Sequence, residues 1–114
     1  MDVDYVFAGL CVSNRDSAAG WYARLFGRPA DMLPNDAEAT WQLSESSSLY
    51  LLADSGRAGK GVFTLMVTDL DSELALVAAR GVDTGPVEDV GSAGRRSLIT
   101  DPDGNQIQVV QLTG

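Results

Sequence analysis

Histidine is absent from this sequence. That removes the most common transition-metal ligand and the usual general base near neutral pH. Cysteine is almost absent. The lone Cys11 has no partner for an internal disulfide and no histidine to activate it, so buried filler in a reducing compartment is expected. Basic residues are scarce, with 8 Lys and Arg against 16 Asp and Glu, a net charge of −8. They are scattered, and only Arg95 and Arg96 adjoin. This argues against binding nucleic-acid backbones or anionic lipid. A cationic small ligand would be drawn to such a surface. No apolar run approaches the roughly 20 residues that cross a bilayer. The start, Met1-Asp2-Val3-Asp4, is acidic where a signal peptide is basic. A cytoplasmic protein is expected.

What the sequence does contain is a repeat. With 114 residues, 45% of them apolar, one compact domain over residues 1–114 is expected. Within it Leu10, Val12, Asp16, Ser17 and Ala23 recur at one offset as Leu65, Val67, Asp71, Ser72 and Ala78. Each half reads as an apolar strand, a capped helix and three short strands. The first strand spans about Tyr5–Val12, with apolar residues on both faces, so both faces are expected to be covered. Asn14 is placed to cap a helix carrying Ala18, Trp21 and Leu25 on one face, and Gly27 to end it. Val62–Val67 repeats the strand. Asp69 is placed to cap a helix with the stripe Leu70, Leu74, Val77 and Ala78, and Gly81 to end it. Later strands are expected near 30–33, 38–43 and 48–53, then near 86–89, 95–100 and 106–112. The segment Ser55-Gly56-Arg57-Ala58-Gly59 reads as the linker.

Asp101-Pro102-Asp103-Gly104-Asn105, flanked by strand-like runs, carries strong turn chemistry. Followed by Ile107, it resembles the last hairpin of the vicinal oxygen chelate superfamily. That group contains glyoxalase I, extradiol dioxygenases, and fosfomycin and bleomycin resistance proteins. Val12 to Gly27, with Trp21-Tyr22 and Leu25-Phe26-Gly27, is similar to its first strand and helix, and Val62 to Asp71 to the second. The resemblance implies an α+β fold. Two βαβββ modules (about 1–54 and 60–114, linker 55–59) would have mixed sheets curling around a cup-shaped cavity.

Metal-using relatives place their ligands at four strand positions. These correspond to Phe7, Tyr50, Val62 and Gln108. Phenylalanine and valine have no lone pair to donate, and neutral glutamine and a phenol offer little. No metal and no cofactor are therefore expected, and metal-dependent glyoxalase or ring-cleaving chemistry is disfavoured. The expected ligand-binding residues are Phe7, Trp41, Tyr50, Val62, Thr64, Met66 and Gln108. One of Arg95 and Arg96 would reach the cavity rim. Tyr50 is the one candidate catalytic group, as a proton donor without a visible base. The closest branch is the metal-free, bleomycin-resistance-like one. It implies a non-catalytic protein that sequesters an aromatic or cationic organic ligand, such as an antibiotic, as a homodimer. The alternatives are a metal-independent isomerase, cyclase or lyase on the same scaffold, and a filled homologue serving as an oligomerisation module.

Overall fold

The computed structural model describes residues 1–112. The expected end of module 2 at residue 114 lies outside them. The first module comprises β1 (Val6–Val12), α1 (Arg15–Phe26), β2 (Met32–Asn35), β3 (Glu38–Ser44) and β4 (Ser47–Ala53). The second comprises β5 (Val62–Met66), α2 (Leu70–Ala79), β6 (Glu88–Asp89), β7 (Arg95–Thr100) and β8 (Gln106–Gln111), with a short 3-10 turn at Gly91–Ala93 before β7.

The helices begin and end where their side chains dictate. Asn14 accepts a hydrogen bond from the Ser17 N–H, and Asp69 one from the Ser72 N–H. Each satisfies an N–H that the first helical turn leaves without a partner. Gly27 ends α1 at φ 78°, a conformation that costs glycine little. Ala18, Trp21 and Leu25 are buried as expected, and Tyr22 joins them. On α2, Leu70, Leu74 and Val77 are buried, whereas Ala78 is exposed.

The two modules repeat one topology. The strand orders are β1-β4-β3-β2 and β5-β8-β7-β6. In each, the first and last strands pair in parallel and the remaining pairs are antiparallel. One hydrophobic cluster under both sheets combines Leu10, Tyr22, Trp41 and Leu51 of module 1 with Leu70, Val77, Ile99 and Ile107 of module 2.

The cup-shaped cavity is not formed. The sheets are separate and open, and neither closes nor curls strongly. No hydrogen-bonded ladder joins β1 to β5, so there is no continuous sheet to bend around a guest. The expectation that both faces of β1 are covered fails for the same reason. Val6, Phe7 and Ala8 are exposed, and only Leu10 and Val12 are buried.

The Asp101–Asn105 turn locks the modules together. Asp101 is 3% exposed, and its carboxylate accepts four hydrogen bonds: from the Asp103 and Asn105 N–H groups, the Asn105 side chain and the Tyr22 hydroxyl, the last at 2.8 Å. Asn105 also donates to the Cys11 carbonyl and accepts from the Gly61 N–H. Asp103 accepts from the Ser13 N–H. A buried carboxylate is tolerated when its lone pairs are filled in this way. Burial, and then the Asp101 carboxylate, push the Tyr22 hydroxyl far above the usual tyrosine range.

Candidate ligand-binding site

Strand parity divides the expected site residues. On β1, Phe7, Gly9 and Cys11 face away from the helices, and their parallel partners Ser48, Tyr50 and Leu52 share that side. Phe7 is 63% exposed and lies against Tyr5, with ring centroids 4.8 Å apart. The Tyr50 ring covers Gly9, where a Cβ would meet it at 2.5 Å, so only glycine leaves room for it. The open face of module 1 thus combines the aromatic Phe7 and Tyr50 with polar Thr40 and Gln42.

The open face of module 2 is amphipathic. Val62 is 69% exposed and Met66 64%. Beside them runs a polar ladder. Arg96 donates to Gln108 at 2.9 Å, Gln108 donates to Thr64 at 3.4 Å, and Glu88 sits 3.7 Å from Arg96. The Arg96 Nε is buried without a partner among the described residues. Arg95 turns the other way and pairs with Asp71.

Trp41 requires a correction. It pairs with Leu49, not with a residue on the Tyr50 side, and is 0% exposed. It packs against Tyr22 and Phe26, and its indole N–H donates to the Arg28 carbonyl. It is core, because odd positions of β3 face the helices. The remaining six expected residues fall into two groups, Phe7 and Tyr50 on one sheet, and Val62, Thr64, Met66 and Gln108 on the other.

Two clefts flank these surfaces. The larger, about 480 Å³, lies between the modules. Val6, Ala8, Phe63 and Leu65 contribute to its walls, the ends of α1 and α2 close it, and Thr64 and Met66 border it. The smaller, about 310 Å³, is lined by Gly9, Leu10, Cys11, Arg57, Lys60 and Gly61. Cys11 is therefore half-buried at a cleft and is not core filler. Sequence reasoning missed both clefts, since each is assembled from segments distant in the chain. Arg57 is held above the ordinary arginine value, first by its hydrogen bond to Asp54 and then by the nearby Cys11.

The four positions that match the family's metal ligands do not form a metal site. Phe7 and Val62 have no donor atom, and the Gln108 amide is already engaged with Arg96 and Thr64. Among the described residues, no three of His, Cys, Asp and Glu come close enough to hold an ion. No described helix is long and apolar enough to cross a membrane.

Paired βαβββ modules, each presenting an open sheet face, define a scaffold of the vicinal oxygen chelate type. No family model and no curated protein sequence matches the chain. Solved structures do. A glyoxalase/bleomycin resistance protein from Catenulispora acidiphila superposes with a TM-score of 0.90 at 33% identity, over 98% of this chain and 100% of the other. TnmS3, an antibiotic binding protein from Streptomyces sp. CB03234, superposes at 0.76 with 22% identity over 99% and 97%. Lactoylglutathione lyase from Agrobacterium tumefaciens superposes at 0.76 with 19% identity over 93% and 91%. The last two show the fold alone. The chain belongs to the glyoxalase/bleomycin resistance family of the vicinal oxygen chelate superfamily.

Proposed function

We propose that the protein is a metal-independent binding protein that sequesters an aromatic organic ligand, such as an antibiotic. The carrying observation is the chemistry at the four positions equivalent to metal ligands. Phe7 and Val62 are apolar and exposed, Tyr50 carries a hydroxyl on the open face, and Gln108 is held by Arg96 and Thr64. Aromatic walls with a few polar points suit a flat guest. That the relative TnmS3 is an antibiotic binding protein supports the same reading.

A single open face would leave such a guest half in water. Phe7 on edge strand β1, and Val62 and Met66 on edge strand β5, expose apolar side chains that a second copy would cover. The proposed working form is therefore a homodimer. Light scattering at micromolar concentration tests it, and a monomer that binds ligand tightly would argue against it.

A thermal-shift screen of antibiotics and aromatic metabolites, with and without Ni²⁺ or Zn²⁺, tests the binding itself. Stabilisation by an organic compound alone is the expected result. Stabilisation by a metal ion alone would end the reading. A metal-independent isomerase, cyclase or lyase is the second reading, carried by the Tyr50 hydroxyl on the open face. It requires product formation that Tyr50→Phe abolishes while binding survives.

A further inference from the structure

The smaller cleft has a charge that the chain as a whole does not. Of the 8 basic residues, two converge there, Arg57 and Lys60. Most of the others are engaged elsewhere: Arg15, Arg28 and Arg80 donate to backbone carbonyls, Arg95 pairs with Asp71, and Arg96 holds Gln108. Asp54 offsets Arg57 through a 2.8 Å contact. Lys60 makes no hydrogen bond or ion pair among the described residues. It is the chain's one lysine, as Cys11 is its one cysteine, and both line the same cleft.

The backbone that carries Lys60 is fixed. Gly59 sits at φ 84°, where a Cβ would meet the Asp103 carbonyl oxygen at 2.1 Å. A Cβ on Gly61 would meet Leu10 at 2.2 Å. Lys60 is thus held between two glycines packed against the Asp101–Asn105 turn and β1. The cleft also adjoins the open face of module 1. Gly9, which lines it, lies beneath the Tyr50 ring, and Arg57 is within electrostatic reach of Tyr50 and Cys11.

From this juxtaposition, and resting on the binding-protein reading above, we infer that the ligand is an aromatic carboxylate. Its ring lies on the face made by Phe7 and Tyr50, and its carboxylate enters the cleft between Lys60 and Arg57. The net charge of −8 favours cations at long range, but that field is screened within about 8 Å at physiological ionic strength. At contact, the cationic side chains of the cleft decide. Carboxylate recognition by Lys and Arg is charge-assisted and directional, whereas a ligand cation would have to bind beside an unmatched ammonium.

Cys11 reports on this field directly. Dithiobis(nitrobenzoate), an aromatic carboxylate disulfide, and neutral dithiodipyridine both react when a thiolate attacks the disulfide, forming a mixed disulfide and releasing an aromatic thiolate or thione. On the full-length protein, with each rate taken relative to free cysteine, the carboxylate reagent is expected to be favoured about tenfold over the neutral one. Lys60→Glu should abolish that preference, read as the ratio of the two rates so that any change in thiol reactivity common to both reagents cancels. In parallel, calorimetry compares 2-naphthoate, naphthalene-2-methanol and 2-naphthylmethylamine. The carboxylate should bind about tenfold more tightly than the alcohol, and Lys60→Glu should remove the difference. Lys60 is exposed, so the variant should fold, and an unchanged melting temperature checks it. Equal labelling by both reagents, or tightest binding by the amine, overturns the carboxylate assignment and leaves the binding-protein reading in place. If none of the three naphthalenes binds and labelling shows no charge preference, both fall.

Discussion

Trp41 and Phe7 are large aromatics of the same sheet, and they meet opposite fates. Trp41 is 0% exposed among Tyr22 and Phe26, whereas Phe7 is 63% exposed. The difference is parity. In this register Trp41 pairs with Leu49 on the helix side, and Phe7 pairs with Ser48 on the open side. The helix side of both sheets carries the core, interrupted by the cleft that Val6, Ala8, Phe63 and Leu65 line. The open side holds apolar surface that the folded chain does not cover. Stability should therefore reside on one side of the sheets and ligand affinity on the other.

The strongest test of that division is Trp41→Ala, which should cost about 4 kcal/mol in denaturant unfolding, since it empties a large volume at the centre of the core. An effect below 1 kcal/mol would show that the core is not where the packing places it. Next is Asp101→Ala, expected to cost about 3 kcal/mol, because the Tyr22 hydroxyl and the Asn105 amide lose a buried partner together. Hydrogen exchange should quicken in both modules, since the turn joins them.

The Tyr22 hydroxyl makes the same clamp sensitive to alkali. Its folded pKa lies above the ordinary value of 10.0, so the stabilisation is complete below that pH and is lost as pH rises beyond it. Tyr22→Phe should flatten the fall in melting temperature above pH 10 relative to the wild type. Identical alkaline profiles would dismiss Tyr22 as its source.

The helix caps give a smaller contrast between modules. Asn14→Ala should cost about 1 kcal/mol at any pH between 3 and 8. Asp69 caps α2 as a carboxylate whose pKa its bonds to Ser72 hold below the usual 3.8. Its contribution is present above that value and lost as pH falls through the lowered one. Amide exchange in acid should therefore accelerate in the first turn of α2 before that of α1. The smallest effect on stability belongs to Phe7→Ala, expected below about 0.5 kcal/mol. The same variant should weaken an aromatic ligand severalfold, as calorimetry would show. A large loss of stability with unchanged binding would reverse the assignment of the two faces.

Much of the fold was legible in local chemistry. Asn14, Gly27 and Asp69 act through backbone groups a few residues away, so the helix limits followed from their identities. Alternation also set Phe7 on one side of β1, and Val62, Thr64 and Met66 together on one side of β5. The exposure of those sides was not legible, because an apolar strand face reads the same whether or not another surface covers it. Trp41 was misplaced because the face a β3 residue presents depends on its register with β4, and Gln42 to Ser44 contains an irregularity that the sequence does not announce.

The residue order alone determined the duplicated βαβββ plan, the caps and turns, and the lack of donor atoms at Phe7 and Val62, two of the four positions that match metal ligands. These follow from interactions within a few residues, or from side-chain chemistry that no fold can alter. Tertiary structure alone decided that the sheets stay open, that Asp101 and Asn105 clamp one module to the other, and that Cys11, Arg57 and Lys60 share a cleft. Each of these depends on how two separately formed sheets pack, and such contacts between distant segments leave no mark in local sequence.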